Sequence, residues 1–111
     1  MKKINLAITG CMGRMGSQII KSVKKDQNFK ITALTENKKI NRKINGIAID
    51  LNTYKTFKKV DLIIDFTVPK CTFEILKIAL KLKKRVVIGT TGFSKKEESN
   101  YDQLYVCYRV K

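Results

Sequence analysis

The sequence contains no histidine and no tryptophan, and it has a single proline. Histidine is the side chain that most often acts as a general base or a metal ligand near neutral pH. The three cysteines, Cys11, Cys71 and Cys107, are widely separated and show no C-x-x-C spacing. We therefore expect neither a metal site nor a disulfide framework, and we interpret the cysteines as reduced thiols of a cytoplasmic protein.

Long apolar segments are also missing. No apolar run approaches the roughly 20 residues that cross a bilayer as a helix, and no secretory-type apolar segment follows Met1. A chain of 111 residues is long enough for one domain with a real core and too short for two. We expect one domain over residues 1–111, in the cytoplasm, with no membrane partner.

Acidic residues are scarce, with 9 Asp and Glu against 24 Lys and Arg and a net charge of +15. A balance this basic is compatible with a nucleic-acid partner. The lysines, however, are spread along the chain in pairs such as Lys24-Lys25 and Lys58-Lys59, without a clustered stripe or a nucleic-acid-binding motif. We therefore expect a dispersed basic surface that attracts an anionic cofactor or substrate, and no nucleic-acid partner. A basic nucleic-acid-binding module is the weakest alternative.

The apolar pattern alternates between strand-like and helix-like segments, which is typical of an α/β fold. Leu6 and Ile8 fall on one face of the first predicted strand and Ala7 on the other. Met15 in the first helix and Leu80 in a later one fall on the predicted apolar faces. The pattern predicts strands over residues 4–9, 29–34, 60–66, 85–88 and 104–108, helices over 15–25, over 73–82 and from Ser94, weak elements at 47–51 and 53–57, and a loop over 37–45.

Three glycines, Gly10, Gly13 and Gly16, follow the first predicted strand at the spacing G-x-x-G-x-x-G. In dinucleotide-binding sheets the first glycine permits the turn, the second clears space for phosphate, and the third lets the helix pack on the strand. Arg14, in the first helical turn, would add a charge-assisted contact to phosphate. The spacing alone is equally compatible with a plain tight turn. The flanking strand and helix favour a pyrophosphate site.

Two further features support a dinucleotide site. Glu36 ends the second predicted strand about 20 residues after Gly16, where an acidic side chain accepts hydrogen bonds from the adenosine ribose; a solvated carboxylate is the alternative. A second glycine loop, residues 89–93, follows the strand at 85–88. Because the carboxyl ends of parallel strands meet at one edge of a sheet, we expect the two glycine loops to lie side by side near the topological switch point.

Three segments in this order resemble the dihydrodipicolinate reductase family, also called 4-hydroxy-tetrahydrodipicolinate reductase: Gly-Arg-Met-Gly at 13–16, Ile-Asp-Phe-Thr-Val-Pro at 64–69 and Val-Ile-Gly-Thr-Thr-Gly-Phe at 87–93. The resemblance implies a Rossmann-like doubly wound parallel sheet and an NAD- or NADP-dependent reduction of a small dicarboxylate in lysine and diaminopimelate synthesis. It implies cofactor contacts from Gly10, Cys11, Met12, Gly13, Arg14 and Met15 at the pyrophosphate, Glu36 and Asn37 at the ribose, Phe66 and Thr67 along the cleft, and Gly89, Thr90 and Thr91 at the nicotinamide, with Thr91 also near the substrate.

The sequence departs from the family pattern in three ways. The resemblance implies a second domain with a paired-histidine and lysine motif for proton donation and carboxylate binding, and this sequence has no histidine. Residues 104–111 also lack the expected asparagine–serine stretch. We therefore expect a Rossmann-like domain truncated before the substrate domain, with no catalytic residue, no family-type homo-oligomer and no turnover alone. A fragment without any function is the second alternative. Asn37 replaces a frequent arginine, and Lys38 or Lys39 could bind an NADP 2′-phosphate instead.

Overall fold

The computed structural model describes residues 2–90, 94–96 and 108–109. Over these ranges the chain forms one sheet flanked by helices. The elements are β1 Ile4–Thr9, α1 Arg14–Lys24, β2 Phe29–Thr35, β3 Lys43–Ile44, β4 Ile47–Asp50, α2 Tyr54–Phe57, β5 Leu62–Asp65, α3 Pro69–Leu82, β6 Arg85–Ile88 and β7 Tyr108–Arg109. None of the helices in the described ranges is long and apolar enough to cross a membrane.

The described strands are ordered β3-β4-β2-β1-β5-β6-β7 across the sheet. Every pairing is parallel except that of β3 with β4. From β1 the chain first builds outward through β2 and β4, and it then returns to the other side of β1 to add β5 and β6. The strand order therefore reverses between β1 and β5. This arrangement confirms the Rossmann-like doubly wound sheet, and ligands of such sheets bind outside the carboxyl ends of the strands at the reversal.

Each face of the sheet carries its own apolar core. Leu6 and Ile8 of β1 are buried with Ile20 of α1, whereas Ala7 is buried on the opposite face with Ile75 of α3. Successive side chains of a strand point to opposite faces, so the run from Leu6 to Ile8 serves both cores. Full burial of each large aliphatic side chain stabilises the fold by about 1.5–3 kcal/mol. The predicted division of β1 between two faces is confirmed.

The predicted apolar faces of the helices are wrong at two positions. Met15 is 52% exposed, and Gly16 takes the buried place at the start of α1. Gly16 lies so close to the backbone of the preceding loop that a Cβ there would sit 2.9 Å from Cys11 Cα. A glycine is thus required where the helix meets the loop, and Met15 points to solvent. Leu80 is also exposed, so the apolar stripe of α3 is narrower than predicted.

Helix α3 begins earlier than predicted, at Pro69 rather than at residue 73. Proline is favoured at the first position of a helix, where its missing N–H has no intrahelical partner to lose. The turn predicted at residues 67–69 is therefore short and leads directly into the helix. Consequently the first turn of α3 lies directly after the end of β5.

The segment predicted as a loop over 37–45 contains β3, which pairs with β4 as an antiparallel hairpin. Asn45 and Gly46 connect the two strands, and both have positive φ, 51° and 81°. Positive φ at both central residues is the geometry that an Asn-Gly pair favours in a two-residue hairpin turn. The loop prediction is therefore wrong at residues 43–44, and the Asn-Gly pair was the overlooked signal.

The other predicted elements agree with the structure apart from their ends. Strands β1, β2 and β6 lie where expected, the weak elements are β4 and α2, and β5 is shorter than the predicted 60–66. Lys95 and Lys96 are helical, as expected after Ser94, while the rest of that helix lies outside the described residues. Of the strand predicted at 104–108, only residue 108 is described. It belongs to β7, which pairs with β6.

Candidate cofactor-binding site

The first glycine loop is built from close backbone approaches. Gly10 has a φ of 63°, and a Cβ on it would collide with the carbonyl oxygen of Phe66 and lie 3.1 Å from that carbonyl's carbon. The loop after β1 therefore touches the backbone just after β5, across the point where strand order reverses. Side chains at Gly10 and Gly16 are both excluded by protein backbone. These two positions have the geometry that the first and third glycines of a dinucleotide loop require.

Gly13 differs from the other two glycines because it is exposed and less tightly enclosed by backbone. The one atom that a Cβ there would approach is the Gly10 carbonyl oxygen, at 3.3 Å. Gly13 is also the N-cap of α1 and provides no side-chain hydrogen bond to the first turn. The unpaired N–H groups and the positive end of the helix dipole therefore lie at an exposed turn, an arrangement that suits a phosphate.

Glu36 lies directly beside this loop. Its Oε2 accepts a hydrogen bond of 2.8 Å from the backbone N–H of Met12, and the backbone N–H of Cys11 donates to the carbonyl of Thr35. The end of β2 is thus tied to the glycine loop at two points. A carboxylate has about four acceptor positions, so the bond to Met12 leaves capacity for ribose hydroxyls.

A cleft of about 210 Å³ opens between the ends of β1 and β5. Whole-ligand pockets are usually 300–1,000 Å³, so this cleft has the size for the centre of a dinucleotide rather than all of it. Six lining residues were predicted from the sequence, and two, Val68 and Cys71, were not. Val68 is the N-cap of α3 and Cys71 lies in its first turn, and the sequence placed the start of this helix too late. The cleft is lined by Gly10, Gly13, Glu36, Asn37, Phe66, Thr67, Val68 and Cys71.

The remaining residues of the first loop lie beside the cleft rather than along its lining. Met12, Arg14 and Met15 are exposed. Cys11 is fully buried, and burial, with a smaller contribution from the charge of Glu36, raises the pKa of its thiol to about 11. A thiol with this pKa is protonated at neutral pH. Its properties support the interpretation of Cys11 as a filler of the loop rather than a nucleophile.

The second glycine turn meets the first at the same edge. A Cβ on Gly89 would collide with the ring of Phe66, so the ring packs directly on this glycine. The backbone N–H of Thr67 donates a hydrogen bond of 2.8 Å to Thr90 Oγ1. Thr67 and Phe66 both line the cleft that contains Gly13. The described start of the second glycine loop, Gly89 and Thr90, is therefore a neighbour of the first loop, as expected, while residues 91–93, with Thr91, lie outside the described residues.

Sequence reasoning missed the residue that organises this edge. Asp65 ends β5, is fully buried, and was noted from the sequence only as one residue of the motif at 64–69. Its carboxylate accepts hydrogen bonds from Thr9 and Thr67, each of 2.7 Å, from Thr90 at 3.0 Å, and from Thr72. Charge-assisted bonds of this kind offset the cost of burying a carboxylate. A signal was available, because each threonine lies at a strand end or a helix start on one edge.

Comparison with known proteins agrees with this geometry. The family model described as dihydrodipicolinate reductase, N-terminus, matches residues 4–107. The 4-hydroxy-tetrahydrodipicolinate reductase of Pelagibacter ubique (strain HTCC1062) is 73% identical over 99 residues, which are 89% of this chain and 38% of that protein. The enzyme of the same name from Buchnera aphidicola subsp. Schizaphis graminum is 43% identical over 86% of this chain and 40% of its own length.

A solved structure gives the same fold. Dipicolinate-bound dihydrodipicolinate reductase from Paenisporosarcina sp. TG-14 superposes with a TM-score of 0.76 at 24% identity, over 97% of this chain and 47% of that one. The chain therefore spans about 40% of the length of the curated relatives it matches. Together with the cleft at the strand reversal, these matches show that the chain belongs to the dihydrodipicolinate reductase family, whose N-terminal part it matches.

Proposed function

We propose that this chain is the NAD(P)H-binding part of a 4-hydroxy-tetrahydrodipicolinate reductase. The observation that carries the proposal is the cleft at the strand reversal, where Gly10, Gly13, Glu36, Phe66 and Thr67 come together. The name of the Pelagibacter relative, at 73% identity, supports the reaction. The cofactor supplies the hydride, and the task of this chain is to bind and orient it.

The residues fit a dinucleotide at three places. The exposed turn at Gly13, at the start of α1, would take the pyrophosphate. Glu36, held by Met12, would accept hydrogen bonds from the adenosine ribose. Phe66 and Thr67, predicted to lie along the cleft, contact Gly89 and Thr90, and we propose that they extend the nicotinamide end of the site. The proposal retains the other predicted contacts, with Gly89, Thr90 and Thr91 also at the nicotinamide, Asn37 at the ribose, and Cys11, Arg14 and Met15 beside the phosphates.

The region proposed to bind the adenosine ribose contains a side chain suited to NADH and side chains suited to NADPH. Glu36 favours the 2′-hydroxyl of NADH, because a carboxylate accepts hydrogen bonds and repels phosphate. Beside it, the lining of a cavity of about 360 Å³ past the end of β4 includes three cationic side chains, Lys39, Lys55 and Lys59, and one acidic residue, Asp50. The backbone N–H of Glu36 donates to the carbonyl of Asp50, which joins the two regions. We propose that Lys39, together with Lys38, binds the 2′-phosphate of NADPH.

The complete reaction needs chemical groups in addition to those that line the described cleft. The Paenisporosarcina structure is named for bound dipicolinate, a dicarboxylate, and we propose a small dicarboxylate as the substrate class. Hydride transfer to such a substrate also needs a proton donor and an anion-binding group, which this histidine-free sequence is not expected to supply. The chain alone is therefore proposed to bind cofactor without turnover or family-type assembly. The free thiols of Cys11 and Cys71 support a cytoplasmic setting.

Direct titration tests the proposal. Folded chain, verified by circular dichroism, is titrated with NADH and NADPH in a calorimeter and by nicotinamide fluorescence. We expect saturable binding with one site per chain. A folded sample without saturable binding would contradict the proposal and favour a fragment with no function of its own. Titration of duplex DNA in the same buffer provides the comparison for the basic-module alternative, which predicts a strongly salt-dependent interaction.

A further inference from the structure

The hydrogen bonds around Asp65 have a fixed direction. A carboxylate only accepts hydrogen bonds, and a threonine hydroxyl has one proton to donate. Thr67 Oγ1 lies 2.7 Å from Asp65 Oδ1, while its contacts with the Val68 carbonyl and with Thr72 Oγ1 are longer, at 3.4 Å. The proton of Thr67 is therefore directed at Asp65.

The direction of this bond determines what Thr67 offers to the cleft. Thr67 is half-buried and lines the cleft beside Phe66. With its proton given to Asp65, its hydroxyl oxygen retains only lone pairs for a ligand. A ligand group that meets this oxygen must then donate a hydrogen bond, because two acceptors in contact leave a polar group unpaired at a cost.

Thr90 provides a second connection between Asp65 and Thr67. Its hydroxyl donates to Asp65 over 3.0 Å and accepts from the backbone N–H of Thr67 over 2.8 Å. Thr90 is 7% exposed, so these protein contacts account for its hydroxyl. Asp65 thus holds the Thr67 side chain directly and the Thr67 backbone through Thr90.

We propose that Asp65 is a positioning residue that keeps the Thr67 hydroxyl as a hydrogen-bond acceptor, so that the cleft selects a donor group on the nicotinamide half of the cofactor. Two groups there have this chemistry, the carboxamide N–H and the ribose hydroxyls. This inference rests on the proposed cofactor function. It assigns Asp65 a part in ligand selection in addition to its part in the fold.

The test compares three ligands by calorimetry: NADH, its 3-acetylpyridine analogue, which lacks the carboxamide N–H, and an analogue without the 2′- and 3′-hydroxyls on the nicotinamide ribose. For the unmodified chain we expect one analogue to bind about 3- to 10-fold more weakly than NADH, since a hydrogen bond contributes about that much. The analogue that loses affinity identifies the donor.

Two variants of Thr67 test whether its hydroxyl is the acceptor. Valine has nearly the same shape as threonine without the hydroxyl, so Thr67→Val should bind all three ligands with affinities that agree within 2-fold. Thr67→Ser, the matched control, retains the hydroxyl and should retain the preference for NADH.

Asp65→Asn separates positioning from support of the fold. Its amide can donate to Thr67 and release the threonine proton toward the cleft, so the preference for NADH should shrink. If Asp65 had a purely structural role, Asp65→Asn would instead lower the affinity for all three ligands by the same factor. If Asp65→Asn does not fold, the Thr67 pair decides the outcome.

The outcomes separate this inference from the function on which it rests. Binding of NADH and both analogues with equal affinity would overturn the inference and leave the proposed function intact. An undiminished preference in Thr67→Val, or in folded Asp65→Asn, would overturn it as well. Failure of the folded chain to bind any of the three would overturn the proposed function and the inference together.

Discussion

The backbone N–H of Met12 donates a 2.8 Å hydrogen bond to the carboxylate of Glu36. This bond joins the first glycine loop to the end of β2, which are 24 residues apart in sequence. It holds the side chain proposed to bind the ribose at a fixed distance from the loop proposed to bind the phosphates. Binding then requires little reordering of the site, which reduces the entropic cost of binding.

Removal of the Glu36 carboxylate should weaken the binding of NADH more than the binding of NADPH. Glu36→Ala loses both the Met12 contact and the acceptor for the 2′-hydroxyl. We expect the NADH dissociation constant to rise about 10-fold or more, since hydrogen bonds to charged groups contribute about 1.5–3 kcal/mol. Fluorescence titration measures both cofactors. Glu74→Ala, which removes an exposed carboxylate on α3, is the control and should leave both affinities unchanged.

The lysines near β4 should affect the phosphorylated cofactor selectively. Lys39→Gln is expected to weaken NADPH binding about 3- to 10-fold and NADH binding by less than 2-fold. A surface charge pair contributes about 1 kcal/mol or less in water, and it contributes more when phosphate is the partner. The selectivity should decrease as salt concentration rises. Lys77→Gln, at an exposed position of α3, is the matched control. Equal losses for both cofactors would contradict a 2′-phosphate site at Lys39.

Substitution of Gly13 should separate binding from stability. Its backbone is extended, with a φ of −77°, and aspartate is a favoured N-cap in that conformation. The capping gain is opposed by the approach of the new Cβ to the Gly10 carbonyl oxygen at 3.3 Å, so we expect Gly13→Asp to change the free energy of unfolding by about 1 kcal/mol. Its charge would lie where phosphate is expected. We predict loss of NADH affinity by at least about 10-fold. The neutral Gly13→Asn should retain more affinity, and equal affinity of Gly13→Asp and the unmodified chain would exclude a phosphate at this turn.

Alanine at Gly16 should destabilise the fold. The added Cβ would lie 2.9 Å from Cys11 Cα and would collide with the Gly10 carbonyl, and both contacts are with backbone that cannot rotate away. We expect a loss of about 1–3 kcal/mol in the free energy of unfolding, measured by urea denaturation. Gly46→Asn is the comparison: no atom lies within 4 Å of a Cβ at that turn, so any loss there comes from the positive φ of 81°, which asparagine adopts more readily than most residues, and we expect that loss to be the smaller one. A larger loss in Gly46→Asn would contradict the packing argument.

The thiol of Cys11 should make stability depend on alkaline pH. Its pKa is raised from 9.0 to about 11 in the folded chain, mainly by burial. The unfolded chain therefore loses this proton first, so the contribution of Cys11 to stability is complete below pH 9 and decreases between pH 9 and about 11. Cys11→Ala should show a smaller decrease over that interval in urea denaturation. Parallel pH profiles for the two proteins would contradict the assignment.

The sequence supported prediction of the sheet, of the first glycine turn and of the place where the second glycine loop begins, because these depend on local patterns. Alternating apolar residues and glycine spacing identify β1, α1 and β6 without knowledge of the rest of the chain. The errors at Met15 and the missed role of Asp65 have a different origin. The error at Met15 arises from the close packing of Gly16 on the backbone of Gly10 and Cys11, and the role of Asp65 depends on contacts between segments distant in sequence, such as the approach of Thr9 and Thr90 to the end of β5. Periodicity alone contains no information about such contacts.

The short hairpin of β3 and β4 determines the properties of one edge of the sheet. In the described part of the sheet, β3 is the terminal strand on that side, and it is two residues long with exposed Lys43. A terminal strand this short offers few free amide and carbonyl groups to another chain, and lysine there opposes close approach of a second copy. At this margin the protein is therefore protected against strand addition and the aggregation that follows from it.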